Sequence, residues 1–426
     1  MRMTQILAAT WLCRASMGFV AKTTASKRSA NVGLPILSSG RIVTTHRSFM
    51  RLFSVSNGVQ ADVKMGVSRI ETLQTLLSKH GAPGSLGCSK PDGDLEPIFV
   101  ASDSELPPED TPELISEFLG VNDYIDLHPH LFPLAKSKTS GNLICALRRA
   151  YADDASQWYE NSAQAPWPIV EAKIGGPGMR LLALNSEHLM RRIVCECDFA
   201  GERTELIDLY NDQLGKNRIQ DKALDQPYEP GSVKKLGYGV DKYVLLRVGP
   251  FPDIYESLAL GHAKKADESS ALISAEASNS KISGFASTFL FYAKLLSSFP
   301  NRNEEARDAA RMCLRMPLPS IGLTVDDFRE VAVLGQIANP SDSDEEVLAK
   351  LQVMYEKMRD HENNDPRSSG NNDMTPEQIA LDEANHLLDT TALTGAKWSA
   401  IRSKLAEIYK SVGRNDMAAF VNPKSS

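Results

Sequence analysis

Residues 284–316 read GFASTFLFYAKLLSSFPNRNEEARDAARMCLRM. They form the core of a longer run, Phe251–Pro319, whose pattern decides the fold. Phe285, Phe289, Tyr292, Leu295, Leu296 and Phe299 recur at three- and four-residue intervals and predict one wide apolar stripe on a helix. Pro300-Asn301-Arg302-Asn303 breaks the pattern. Glu304-Glu305 then opens a second helix, where acids suit the positive end of the helix dipole. Ala306, Ala309, Ala310, Cys313 and Leu314 make its small-residue face, and Pro317 stops it. A bulky helix laid on an alanine-rich one through a short turn predicts a packed hairpin. Asp253–Ala266 and a weaker helix, Glu268–Ser280, precede it.

Working outward, helical periodicity dominates from Asn185 to the C-terminus. Asn185 or Ser186 caps a helix through Cys197, and Glu202–Leu214 is another. Gly215–Gly239 reads as a polar connector. Val240–Val248 fits either a strand or a helix. Val325–Ile337 and Glu345–Met358 follow, then a linker over 361–374 rich in Asn, Asp, Ser and Gly, which predicts disorder. Pro376–Leu388 and a last hairpin, Lys397–Tyr409 with Asp416–Val421, close the chain. Upstream, Val67–His80 reads as a helix, as does the stretch led by Asp110 or Thr111 with Leu114, Ile115, Phe118 and Leu119 inward. Residues 121–183 are the least helical part. There Leu143–Tyr151 reads as a short helix and Pro166–Val170 as extended. The expected fold class is mainly α: a helical-hairpin body, solenoid-like or bundle, with a small α+β region near residues 90–183. Five segments follow: 1–60, 61–183, 184–360, 361–374 and 375–426.

The first segment stands apart by charge. Residues 1–61 carry eight Lys/Arg and no Asp or Glu, leaving 39 basic against 54 acidic residues and a net of −15 in the remainder. An Arg-, Ser- and Thr-rich, acid-free start predicts an organellar targeting presequence. Arg51-Leu52-Phe53-Ser54-Val55-Ser56 resembles the Arg-x-Phe-x-x-Ser pattern cut by matrix processing peptidases. That resemblance implies a mitochondrial matrix protein beginning near residue 54; a plastid stroma protein is the alternative. The acidic body argues against nucleic acid as a partner. No uncharged apolar run of about 18 residues occurs, so no transmembrane span is expected. Peripheral membrane contact is left open. Six scattered cysteines fit a reducing compartment.

Two hairpins resemble tetratricopeptide repeats. Ala406, Tyr409, Gly413 and Ala418 carry the first resemblance, and Phe289, Ala293, Leu296, Ala306 and Pro317 the second. Together they cover roughly 60 of the 426 residues. The resemblance implies a helical scaffold that binds a partner protein.

Little in the chain reads as chemistry. His128-Pro129-His130 places two imidazoles two apart, as a metal on a strand requires, and Asp126 lies beside them. However, Pro129 disturbs a strand, and His188, His262 and His386 lie on helices far apart in sequence. Cys195-Glu196-Cys197 lacks a second ligand pair, and two thiols two apart on a helix diverge. Gly175-Gly176-Pro177-Gly178 matches no phosphate-loop pattern and reads as a tight turn. Ser186-Glu187-His188 are helix neighbours and cannot line up as nucleophile, base and orienter. The expectation is therefore a non-catalytic scaffold, subunit or assembly factor of an organellar protein complex, with no cofactor. Phe285, Phe291, Arg191 and Arg192 are its candidate partner surface. The alternative is a metal-dependent or hydrolytic enzyme centred on residues 124–188, with Asp126, His128, His130 and His188 as its site and Cys145 beside them.

Overall fold

The computed structural model describes residues 66–98, 124–150, 166–214, 224, 226–322, 324–364 and 376–422. The presequence, the Arg51–Ser56 motif, the helix expected near 111–119 and the linker beyond residue 364 lie outside these.

Leu143–Leu147 is a strand, not the helix its short apolar run predicts. Five strands form an antiparallel meander in chain order: β1 Leu95–Pro97, β2 Leu131–Ser137, β3 Leu143–Leu147, β4 Ile169–Ala172 and β5 Met179–Ala183. β3 pairs Leu147 with Leu131 on one side and Leu143 with Ala172 on the other. Every residue of β3 and β4 is buried, so neither shows the alternation that marks a half-exposed strand. Pro133 is tolerated in β2 because the register shifts between it and Ala135.

The two faces of the sheet serve different elements. Leu134, Ile144, Ala146, Ile169 and Leu182 share a core with Leu73, Leu76 and Leu77 of α1 (Ile70–His80) and with Leu189 and Ile193 of α2 (Ser186–Ala200). Leu131, Cys145, Val170, Met179 and Leu181 form a second core with Ile282 and Phe285. Asn185 caps α2 by accepting from His188 N at 2.8 Å, and Gly201 ends it in the left-handed region. At the α1–α2 contact a buried ion pair joins Arg69 to Glu187, with Arg69 Nε 2.8 Å from Glu187 Oε1. Arg69 also donates to Tyr210 O and lies 4.3 Å over the Tyr210 ring.

Beyond α3 (Glu205–Asp212), the short α4 (Ser232–Leu236) interrupts the expected connector, and Val240–Arg247 is helix α5. The central run follows as α6 (Pro252–Ala263), α7 (Glu268–Lys281), α8 (Ser287–Ser297) and α9 (Asn303–Cys313). Then come α10 (Val325–Leu334), α11 (Asp344–Asn364), α12 (Pro376–Thr394), α13 (Arg402–Ser411) and α14 (Asn415–Val421). α11 runs through residues 361–364, which the linker reading had assigned to disorder. Thr324 and Asp327 form a capping box at the start of α10. No helix among the described residues is long and apolar enough to cross a membrane.

The α8–α9 hairpin packs Leu290, Ala293 and Leu296 with Ala306, Ala310 and Cys313. Its aromatic stripe is rotated from the expected one. Helix α8 begins only at Ser287, so Phe285 precedes it, placed by Gly284 at φ 75°. Phe285 is buried against the sheet, and Phe289 is only half-buried.

The β4–β5 turn meets the loop before α10 backbone to backbone. A Cβ on Gly178 would lie 1.2 Å from Gly322 O. Gly178→Ala is therefore expected to cost about 1–3 kcal/mol or more, by forcing the two loops apart. Gly261, inside α6 with nothing within 4 Å of an added Cβ, is the control. There alanine is expected to stabilise by about 0.5–1 kcal/mol. Denaturant melts of the two variants check both signs.

Candidate functional site

Residues 124–130 join the sheet to the C-terminal helices. Arg402, at the start of α13, donates to Ile125 O at 2.8 Å, Leu127 O at 2.6 Å and Val421 O at 2.8 Å. Burial lowers its pKa to about 10. Asp126 accepts from Ser399 N at 3.2 Å, and that hydrogen bonding holds its carboxyl below the usual range. Trp398 Nε1 donates to Gly176 O at 3.1 Å, so the glycine turn receives an indole from the C-terminal segment. Further along, Arg148 pairs with Asp416 at 2.7 Å and Arg414 donates to Ala150 O at 2.9 Å.

The two histidines sit inside this joint. His130 Nε2 is 2.8 Å from Tyr409 OH, and His128 Nδ1 accepts from His130 N at 3.2 Å. Their rings meet edge to face with centroids 5.4 Å apart, and His128 packs in the same way on Trp398 at 4.7 Å. Burial, aided by His130 and Arg402, pushes His128 well below its ordinary value, and burial, aided by Arg148 and Arg402, pushes His130 to about 3. Both are therefore neutral at physiological pH. His128, His130, Arg149, Phe285, Ser320 and Asp389 border a cavity of about 40 Å³. That is room for a water or two, far below the roughly 300 Å³ at the lower end of small-molecule sites.

Of the residues expected for an enzyme, Asp126, His128 and His130 come together at this joint. His188 does not border the cavity; it packs on Phe251 with ring centroids 6.3 Å apart. Among the described residues, no three His, Cys, Asp or Glu side chains gather as metal ligands. One nitrogen of each ring, His128 Nδ1 and His130 Nε2, is taken by a hydrogen bond within the protein. The geometry is that of a polar joint between substructures.

The expected partner surface is largely reassigned. Phe285 is core, with Arg149 stacked 4.7 Å over its ring. Arg192 is buried and holds Asp253 through two hydrogen bonds of 2.7 and 2.6 Å and Glu196 through a third of 2.9 Å. Arg191 is buried against the Tyr228 ring and donates to Gln226 O at 3.0 Å. Both arginines turn inward because acids or carbonyls wait there, which adjacency in sequence does not reveal. Phe291 alone stays partly exposed, packed at the edge of a small core of Ala259, Ala271, Ala275 and Leu295. The outer sides of the same two helices, α6 and α7, expose Leu260 and Ile273. These two were not singled out in the sequence, where each reads as an ordinary helix residue.

A stability measurement checks the state of the joint. In the folded chain His130 takes a proton only near pH 3, against about 6.5 when unfolded, so the unfolded chain binds more protons between those values. The stability from this burial is complete above about pH 6.5 and is lost as pH falls toward 3. The expected slope is about 1.4 kcal/mol per pH unit for each buried histidine. Urea melts between pH 6.5 and 5 should lose one such slope in His130→Gln. An unchanged slope would refute the neutral, buried assignment.

Residues 252–338, from the first residue of α6 to just beyond α10, match the PAB middle domain. Residues 351–424, from within α11 through α14, match the PAB C-terminal domain. Over 298 residues the chain is 31% identical to the Arabidopsis thaliana protein IN CHLOROPLAST ATPASE BIOGENESIS, chloroplastic, covering 69% of this chain and 78% of that protein. The chain belongs to this protein's family. No solved structure matches the chain. The joint thus connects the PAB C-terminal domain to a sheet lying before the PAB middle domain, and both segments that resemble tetratricopeptide repeats fall within the two PAB domains. Leu260, Ile273 and Phe291 all belong to the PAB middle domain.

Proposed function

We propose that the chain is a non-catalytic plastid assembly factor, holding a subunit of the chloroplast ATPase during biogenesis of that complex. The observation that carries this reading is the family membership, because the Arabidopsis relative is named for chloroplast ATPase biogenesis. The relative's chloroplastic name favours the plastid alternative over the mitochondrial reading of the same arginine-rich start. The structure supports a binding role in two ways. His128 and His130, which an enzyme would have used, are absorbed into a structural joint. The PAB middle domain presents partly uncovered apolar side chains, Leu260, Ile273 and Phe291, on α6, α7 and α8.

Loss of the gene is expected to lower the amount of assembled chloroplast ATPase while other thylakoid complexes keep their levels. Purified ATPase subunits should bind the full chain, and Ile273→Asp should weaken that binding without changing the melting temperature. An unchanged ATPase level in the mutant would remove the reading. Sequencing the N-terminus of the plastid protein should find about 50–60 residues removed.

A further inference from the structure

A cysteine, a histidine and a glutamate stand in a hydrogen-bonded line where the end of α1 meets the last turn of α2. Cys197 Sγ lies 3.5 Å from His80 Nδ1, and His80 Nε2 lies 2.9 Å from Glu196 Oε2. Glu196 is steadied by Arg192 Nε at 2.9 Å. Nucleophile, base and orienter on one line is the arrangement that activates a thiol. Arg192 links the cluster to Asp253, Asp241 lies within electrostatic reach of Glu196, and Arg203 donates to Lys79 O and pairs with Asp92 at 2.7 Å.

We propose that Cys197 is a modification site: a thiol activated by His80 and Glu196 that takes one oxygen from hydrogen peroxide to give a reversible sulfenic acid. His80 accepts the thiol proton. The thiolate attacks one peroxide oxygen, forming the S–O bond and breaking O–O, and His80 returns the proton to the departing hydroxide as water. Sulfur is oxidised, peroxide is reduced, and the net change is thiol plus peroxide to sulfenic acid plus water.

Several observations support this assignment. Burial opposes a charged His80, but its bonds to Cys197 and Glu196 outweigh that and raise it to about 9, so at neutral pH the ring holds a proton that it takes from the thiol. Burial pushes Cys88 and Cys195 up to about 12, and it raises Cys145 and Cys313 as well. Cys197 sits at the carbonyl end of α2, where the helix dipole disfavours an anion. The imidazolium must therefore supply the activation, which makes His80 the decisive residue. Cys197 is 2% exposed, but the His80 and Glu196 side chains are 20% and 28% exposed. The cluster meets solvent at its polar end, and a reagent reaching the sulfur has to be small.

The test treats the reduced full chain with hydrogen peroxide in the presence of dimedone and reads the label at each cysteine by mass spectrometry. Cys197 should label about tenfold or more faster than Cys195, its buried neighbour on the same helix. His80→Gln and Glu196→Gln should bring Cys197 toward the Cys195 rate at an unchanged melting temperature. Equal labelling of Cys197 and Cys195 in the native chain would overturn the proposal. So would a His80→Gln variant that labels as before, or labelling that only rises in step with denaturant-induced opening. If His80→Gln loosens the fold, all buried thiols label together, and the native ratio of Cys197 to Cys195 still decides.

Discussion

Glu187→Ala is expected to lower the stability of the folded chain by about 3–5 kcal/mol, because it leaves the Arg69 guanidinium buried without its counter-charge. The Arg69 and Glu187 side chains are 1% and 0% exposed, so water cannot replace the lost partner. Arg69→Ala should cost a similar amount and strands the carboxylate instead. It also removes the bond to Tyr210 O and the contact over the Tyr210 ring. The pair as a whole is a different matter: desolvating two charges consumes much of their attraction. Arg69→Met combined with Glu187→Leu should therefore recover most of the loss. Urea unfolding of the two single variants and the double variant completes the cycle. A Glu187→Ala cost below about 1 kcal/mol would mean that solvent reaches the pair.

The second large effect belongs to Phe285. Phe285→Ala should cost about 3–5 kcal/mol, through lost burial and the cavity left behind. The ring fills the space between the second face of the sheet and the start of α8, beneath Arg149. The same change at Phe291 should cost about 1 kcal/mol or less, because that ring is only partly covered. Phe291→Ala should instead weaken subunit binding, if the outer side of the PAB middle domain is the contact. Melts run beside a binding assay separate the two positions. Equal destabilisation at both would mean that Phe291 is core.

The sequence made the helical body legible because its signals are local. Alanine and leucine spacing and the Glu304-Glu305 helix start each act within a turn or two, and they placed the central helices within a few residues. β3 was not legible. A five-residue apolar run buried on both faces has no period to read, and only its partners β2 and β4 make it a strand. Phe285 was misplaced for a related reason: three- and four-residue spacing carries no information about where the helix begins, and Gly284 delays that start. The joint was hidden because its residues are distant in sequence. His128 and His130 look like ligands beside Pro129, and they become structural only against Trp398 and Tyr409. Likewise, nothing near Arg191-Arg192 says that Asp253 and Gln226 will take them inward. The family was not visible from individual residues. It emerged only from similarity spread over most of the chain.

The span of the joint has a consequence for how the molecule is made. Tyr409 meets His130 across 279 positions, and Arg402 meets Ile125 across 277. Contacts so far apart raise the contact order and slow folding. A ribosome adding about 5–20 residues per second needs about 15–60 s to cover that distance. Throughout that interval the nascent sheet has its strands but lacks its C-terminal closure. The sheet would then depend on a holding chaperone for about 15–60 s.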